Sequence, residues 1–105
     1  MKICITSKGS DTDSFVEKNF GRAPYLAVYD TDSKEFEFLE NPNINLAGGV
    51  GPKTAQMVIN SNAKVLITGM LGDNAKNVID AAGIRFIKSG TDKTIKEAAA
   101  GFESE

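Results

Sequence analysis

The residues of this chain are poorly suited to covalent chemistry and better suited to holding an anion. There is no histidine and only one cysteine. The commonest metal ligand and general base is therefore missing, and no disulfide can form within the chain. The most informative stretch is Ala47-Gly48-Gly49-Val50-Gly51-Pro52-Lys53, three glycines followed by a proline and a helical pattern. Proline suits a first helical turn, where its missing N–H has no partner to lose. Glycine admits positive φ and lets other groups approach the backbone. The unpaired N–H groups and positive dipole end of such a helix make a place for an anion. Weaker versions recur at Thr68-Gly69-Met70-Leu71-Gly72-Asp73-Asn74 and at Lys88-Ser89-Gly90-Thr91-Asp92, each after an apolar run. In a parallel sheet the three junctions share one edge, where α/β proteins bind ligands. Arg22 adds a planar donor fork with a full charge. The expected ligand-binding set is Ser7, Arg22, Gly48, Gly49, Gly51, Gly69, Gly72 and Asn74, with no catalytic residue and no metal ligand. A Cβ at these glycines would hold a ligand off the backbone.

The elements that must position those residues alternate along the chain. Lys2 to Ser7 is a β-branched run. Lys8 to Arg22 reads as a loop, with capping-box spacing at Ser14-Phe15-Val16-Glu17 that predicts one helical turn. Tyr25 to Asp30 is a strand. A polar turn at Thr31-Asp32-Ser33-Lys34 leads back into Glu35 to Glu40, whose strict alternation marks a half-exposed antiparallel edge. From Pro52 the period becomes helical, with Ala55, Val58 and Ile59 on one face. Lys64 to Thr68 is apolar enough for a buried parallel strand. Asp73 is placed to cap a second helix that Gly83 ends. Ile84 to Ile87 is the last strand. Thr91 or Asp92 is placed to cap a helix through Ala99, and Gly101 to Glu105 reads as a frayed tail. Right-handed crossovers then predict an α/β fold with a five-stranded mixed sheet of order 3-2-1-4-5 in which only strand 2 is antiparallel.

Size and charge narrow the function. The 105 residues suit a single domain spanning 1–105. A net charge of −2 gives no electrostatic reason to expect nucleic acid, and no apolar run approaches the roughly 20 residues of a membrane span. The N-terminal apolar segment is one strand long, too short for a secretion signal. With Cys4 alone and mid-strand, as an inert core thiol, a cytoplasmic location is expected.

Several motifs resemble the dinitrogenase iron-molybdenum cofactor biosynthesis domain family. They are Asn19-Phe20-Gly21-Arg22-Ala23-Pro24-Tyr25 after the first strand, Glu40-Asn41-Pro42, the glycine run before Pro52, Gly69-x-x-Gly72-x-Asn74-Ala75, and Ala82-Gly83-Ile84. The resemblance spans Lys2 to about Ala99. It implies a three-layer, ribonuclease H-like fold and a nitrogenase-accessory or orange-protein-like role. The cargo it implies is an iron-molybdenum or molybdenum-copper sulfide cluster. Cofactor-handling members commonly carry a histidine in or after the loop that here reads Asn41-Pro42-Asn43-Ile44-Asn45-Leu46-Ala47. Asparagine is a poor ligand for iron or molybdenum, so the capture expected here is non-covalent, by backbone N–H groups and Arg22.

The leading expectation is a non-catalytic domain that binds or carries an anionic metal–sulfur cluster or its precursor. The alternative is a regulatory or interaction module that binds a small anion or a partner chain, with no metal. A ribonuclease H-type nuclease would need clustered carboxylates around divalent metal, and the first strand has none. A hydrolase would need a histidine or a G-x-S-x-G elbow, and neither is present.

Overall fold

The computed structural model describes residues 1–104. Five strands form one sheet: β1 (Lys2–Ser7), β2 (Tyr25–Asp30), β3 (Glu35–Glu40), β4 (Ala63–Thr68) and β5 (Arg85–Lys88). Their order is β3-β2-β1-β4-β5, with β2 antiparallel to both neighbours and the other pairs parallel, as expected. The hairpin between β2 and β3 closes with Lys34 at positive φ, 64°. Its turn is held by the Asp30 carboxylate, which accepts from the Asp32 N–H at 2.9 Å.

Helix α1 (Val50–Asn60) links β3 to β4, and α2 (Asp73–Ala81) links β4 to β5. Both crossovers run the same way across the sheet, so right-handed connection puts both helices on one face. There Ala55, Val58, Ala75 and Ile79 pack on Cys4, Leu26 and Leu66. Helix α3 (Ile95–Glu103) covers the other face, with Ile95, Ala98 and Ala99 against Ile3, Ile5, Val65 and Ile67. The central strands are thus buried on both sides, which accounts for their near-continuous apolar runs. Among the described residues no helix is long and apolar enough to cross a membrane.

The helix ends depart from the sequence reading. α1 begins at Val50, with Gly49 ahead of it in the left-handed region at φ 70°. Pro52 is the third helical residue and lies within the first turn, as expected, but the helix starts two residues ahead of it. Ahead of α2 the capping position belongs to Gly72, and Asp73 is the first helical residue, making no side-chain cap. α3 is not capped by Thr91 or Asp92. Thr94 caps it, in a reciprocal box with Glu97: the Glu97 N–H donates to the Thr94 hydroxyl at 3.2 Å, and the Thr94 N–H donates to the Glu97 carboxylate at 2.9 Å.

The similar spacing at Ser14 to Glu17 makes no helix, because the backbone there is committed elsewhere. The Val16 N–H donates to Lys93 and the Glu17 N–H to Thr6, each at 2.9 Å. The tail is more ordered than expected, since α3 continues to Glu103. The Glu103 carboxylate accepts from the Tyr29 hydroxyl and pairs with Lys34. Glu105 lies outside the described residues. Gly83 does take the positive φ, 74°, that follows α2.

Candidate functional site

The carboxyl ends of β1, β4 and β5 share one edge of the sheet. The chain leaves β1 toward β2 and leaves β4 toward β5, so the usual ligand crevice would open between β1 and β4. In this protein that crevice is filled by residues 15–19. The Thr6 hydroxyl donates to the Glu17 carbonyl at 2.8 Å and lies 2.7 Å from the Thr68 hydroxyl. Next to it the Met70 N–H donates to Lys18 at 2.6 Å, and the Phe20 N–H to Met70 at 3.2 Å. Gly69 is what lets this segment lie so close, since a Cβ there would stand 2.7 Å from the Lys18 Cα. Its neighbour is backbone rather than open space. Ser7 also stands apart. It is fully buried, continues the Ile3 and Ile5 face beneath α3, and donates its hydroxyl to the Gly9 carbonyl at 2.6 Å.

The open space lies instead on the α1/α2 face. A cleft of about 340 Å³ is bounded by Phe20 and Gly21, by the start of α1, and by the start of α2. Phe20, 2% exposed, anchors its wall. Two glycines bring the walls together. A Cβ on Gly51 would meet the Ala75 Cβ at 3.2 Å, and one on Gly21 would meet the Gly51 nitrogen at the same distance. The two helix starts therefore lie side by side, and neither has a side-chain cap. The N–H groups of a first helical turn have no partner within the helix. Each start carries about half a positive charge. Gly49, Gly51, Gly72 and Asn74 all line this cleft, and a Cβ on Gly49 or Gly72 would meet nothing. Gly48 is exposed beside it. Asp73, also in the wall, is the one acid there and works against an anion.

Arg22 is exposed and follows Gly21 directly. Its Nη1 donates to the Ile44 carbonyl at 2.6 Å, so the guanidinium ties down the loop that leads into α1. The base of that loop is fixed by Asn41, 2% exposed. Asn41 Nδ2 donates to the Ala23 carbonyl at 2.9 Å and to the Thr54 hydroxyl at 3.2 Å. Its Oδ1 accepts from the N–H and the side-chain amide of Asn43, both at 3.0 Å. In the sequence Asn41 stands out only as part of the Glu40-Asn41-Pro42 motif, and this anchoring role emerges from the fold. The available signal was Asn-Pro directly after a strand, where a buried amide can pair with turn backbone.

The chemistry of the cleft is that of N–H donors. Cys4 is wholly buried in the central strand, and burial pushes its thiol up to about 12. Among the described residues no group of three or more His, Cys, Asp or Glu could hold a metal ion. The third glycine junction, Lys88 to Asp92, leads to the opposite face. There Lys88 and Gly90 line a separate cavity of about 180 Å³ with Ile87 and Phe102.

The chain is similar to known proteins in both family and fold. A family model described as dinitrogenase iron-molybdenum cofactor matches residues 1–105. The apo form of the orange protein from Desulfovibrio gigas is 32% identical, with a TM-score of 0.94 over 98% of this chain and 87% of that one. A Thermotoga protein described as a NifB candidate of the DUF35 family, solved by NMR, is 35% identical, with a TM-score of 0.85 and the same coverage. No curated protein is significantly similar to the chain.

Proposed function

We propose that this chain, which belongs to the dinitrogenase iron-molybdenum cofactor family, binds an anionic metal–sulfur cluster or its precursor as cargo, without catalysis. The observation that carries this reading is the pair of uncapped helix starts facing one glycine-lined cleft. Such a cleft can surround an anion with backbone N–H groups. The donor set fits a preformed cluster whose own sulfide ligands accept hydrogen bonds. It does not fit direct coordination, which would need thiolate or imidazole. The likeness to the orange protein supports the same reading. We also read the layered sheet, with its reversed second strand, as ribonuclease H-like. A protein partner at the same edge is supported by Phe15, 48% exposed at the start of the segment that fills the β1/β4 crevice, and by Met70, 51% exposed beside that segment.

The test is titration with tetrathiomolybdate, followed by visible absorbance and amide NMR. The N–H resonances of Gly49, Gly51, Gly72 and Asn74 should move, while those of Ser7 and Gly69 stay still. If none of the four moves, the cluster-site reading is wrong.

A further inference from the structure

We propose that the cavity between β5 and α3 binds a small apolar α-amino acid, with its side chain among Ile67, Ile87 and Phe102 and its two charges set against Lys93 and Glu97. This is a second site, on the sheet face opposite the glycine-lined cleft, and it does not rest on the reading of that cleft.

The cavity follows from the way α3 lies on the sheet. The buried residues of α3 pack on β1 and β4, and the short strand β5 is left partly uncovered. The space between them is about 180 Å³. Ile67 and Ala98 are buried in its depth, and Ile87 and Phe102 are half-buried around it. An apolar cavity of about 150 Å³ accepts a molecule the size of benzene, so this one has room for a side chain the size of leucine's.

Gly101 keeps that room open. It lines the cavity from the last turn of α3, although glycine is disfavoured in a helix. Gly69 is explained by a close neighbour and Gly83 by its positive φ, but Gly101 has neither, and a Cβ there would meet nothing. What glycine supplies at this position is space.

The groups at the mouth decide the class of ligand. The Lys93 ammonium has no hydrogen-bond or ion-pair partner among the described residues. Glu97 Oε1 accepts from the Thr94 N–H at 2.9 Å and from the Thr94 hydroxyl at 3.1 Å, while Oε2 accepts from no described residue. Ile87 faces the cavity, so strand alternation turns the Lys88 side chain to the other face. Asp92 stands beside Gly90 and does not line the cavity. The mouth thus offers one cation and one anion. A carboxylate alone would gain Lys93 but meet the charge of Glu97, and an amine alone would do the reverse. An α-amino acid carries an ammonium and a carboxylate on one carbon beside its side chain, and answers both.

The experiment is titration with L-leucine, followed by methyl and amide NMR, on wild type, Gly101→Leu, Lys93→Gln and Glu97→Gln. In wild type the Ile67, Ile87 and Ala98 methyls should shift, while the N–H groups of Gly51 and Asn74 in the cleft stay still. Gly101→Leu should fold, since leucine suits a helix and the new side chain enters open space, and it should abolish the shifts. Lys93→Gln and Glu97→Gln should each weaken leucine about two- to fivefold, the worth of an exposed ion pair. Glutamine at 97 can keep the box with Thr94, so that loss would report charge rather than a damaged cap. Isocaproate, which is leucine without its ammonium, should bind wild type more weakly than leucine. If leucine moves none of the three methyls, or still moves them in Gly101→Leu, the cavity is not a ligand site. If isocaproate binds as tightly as leucine, or either charge variant binds leucine as wild type does, the amino-acid assignment is overturned.

Discussion

Gly69 and Gly72 lie three residues apart in the same strand-to-helix junction, yet they meet opposite surroundings. A Cβ on Gly69 would press on the Lys18 backbone at 2.7 Å, whereas one on Gly72 would meet nothing. The first glycine closes the β1/β4 crevice by admitting residues 15–19. The second leaves room at the start of α2. A glycine at such a junction therefore signals close approach of some group without saying whether that group is a ligand or the chain itself. The same division holds around α1, where Gly51 faces Ala75 while Gly48 and Gly49 face open space.

The sharpest way to break this comparison is Gly69→Ala. The added methyl has backbone on its far side, which cannot rotate away. Overpacking of this kind costs about 3 kcal/mol, so the urea midpoint should fall well below that of wild type. A loss under about 1 kcal/mol would mean that residues 15–19 lift easily and that the crevice is not truly closed.

A smaller loss is expected at Gly49→Ala, for a different reason. Nothing crowds the new Cβ, but φ is 70°. A non-glycine residue in the left-handed region loses about 1 kcal/mol, and Gly49→Asn should lose less, because asparagine tolerates that region. Denaturant unfolding of the pair would read this. Equal stability of Ala and wild type would show that the turn into α1 relaxes freely, and Gly49 would then join Gly72 as a glycine kept for space alone.

Much of this architecture was legible because it rests on periodicity. The alternation in Glu35 to Glu40 and the apolar run of β4 gave strand type and burial, and the handedness of crossovers gave the sheet order. The helix caps were less legible because several residues compete for each one. Thr94 took the role assigned to Thr91 or Asp92, since its partner Glu97 sits at the reciprocal spacing. The equivalent spacing at Ser14 failed because β1 and the chain before α3 already claimed that backbone. For the site, sequence identified the helix starts but not which neighbours they faced. Ser7 pointed to the α3 face by strand alternation, a signal that was present but outweighed by its place at the edge. Gly69 could not have been sorted from Gly72 without knowing where Lys18 passes. Asn41 was legible as a turn residue and illegible as a buried anchor, because its partners Ala23 and Thr54 are far along the chain.

The smallest expected effect is also the most specific, Gly72→Ser. Gly72 has φ −69° and ψ 161°, the extended conformation in which a serine caps a helix. Its hydroxyl would accept an N–H from the first turn of α2, replacing a residue that caps only through its backbone. Stability should therefore rise by a few tenths of a kcal/mol, read as a thermal midpoint about 1–3 °C higher. Affinity for tetrathiomolybdate should move the other way and fall several-fold, because the new hydroxyl occupies an N–H that the anion would use and fills the open space beside it. A ligand site and a plain helix start differ in just this respect, since only the former loses something when the cap improves. If stability rises and affinity holds, α2 is an ordinary helix whose start touches no ligand, and any binding rests on α1. If stability falls, the space beside Gly72 is not open, and the contrast with Gly69 collapses.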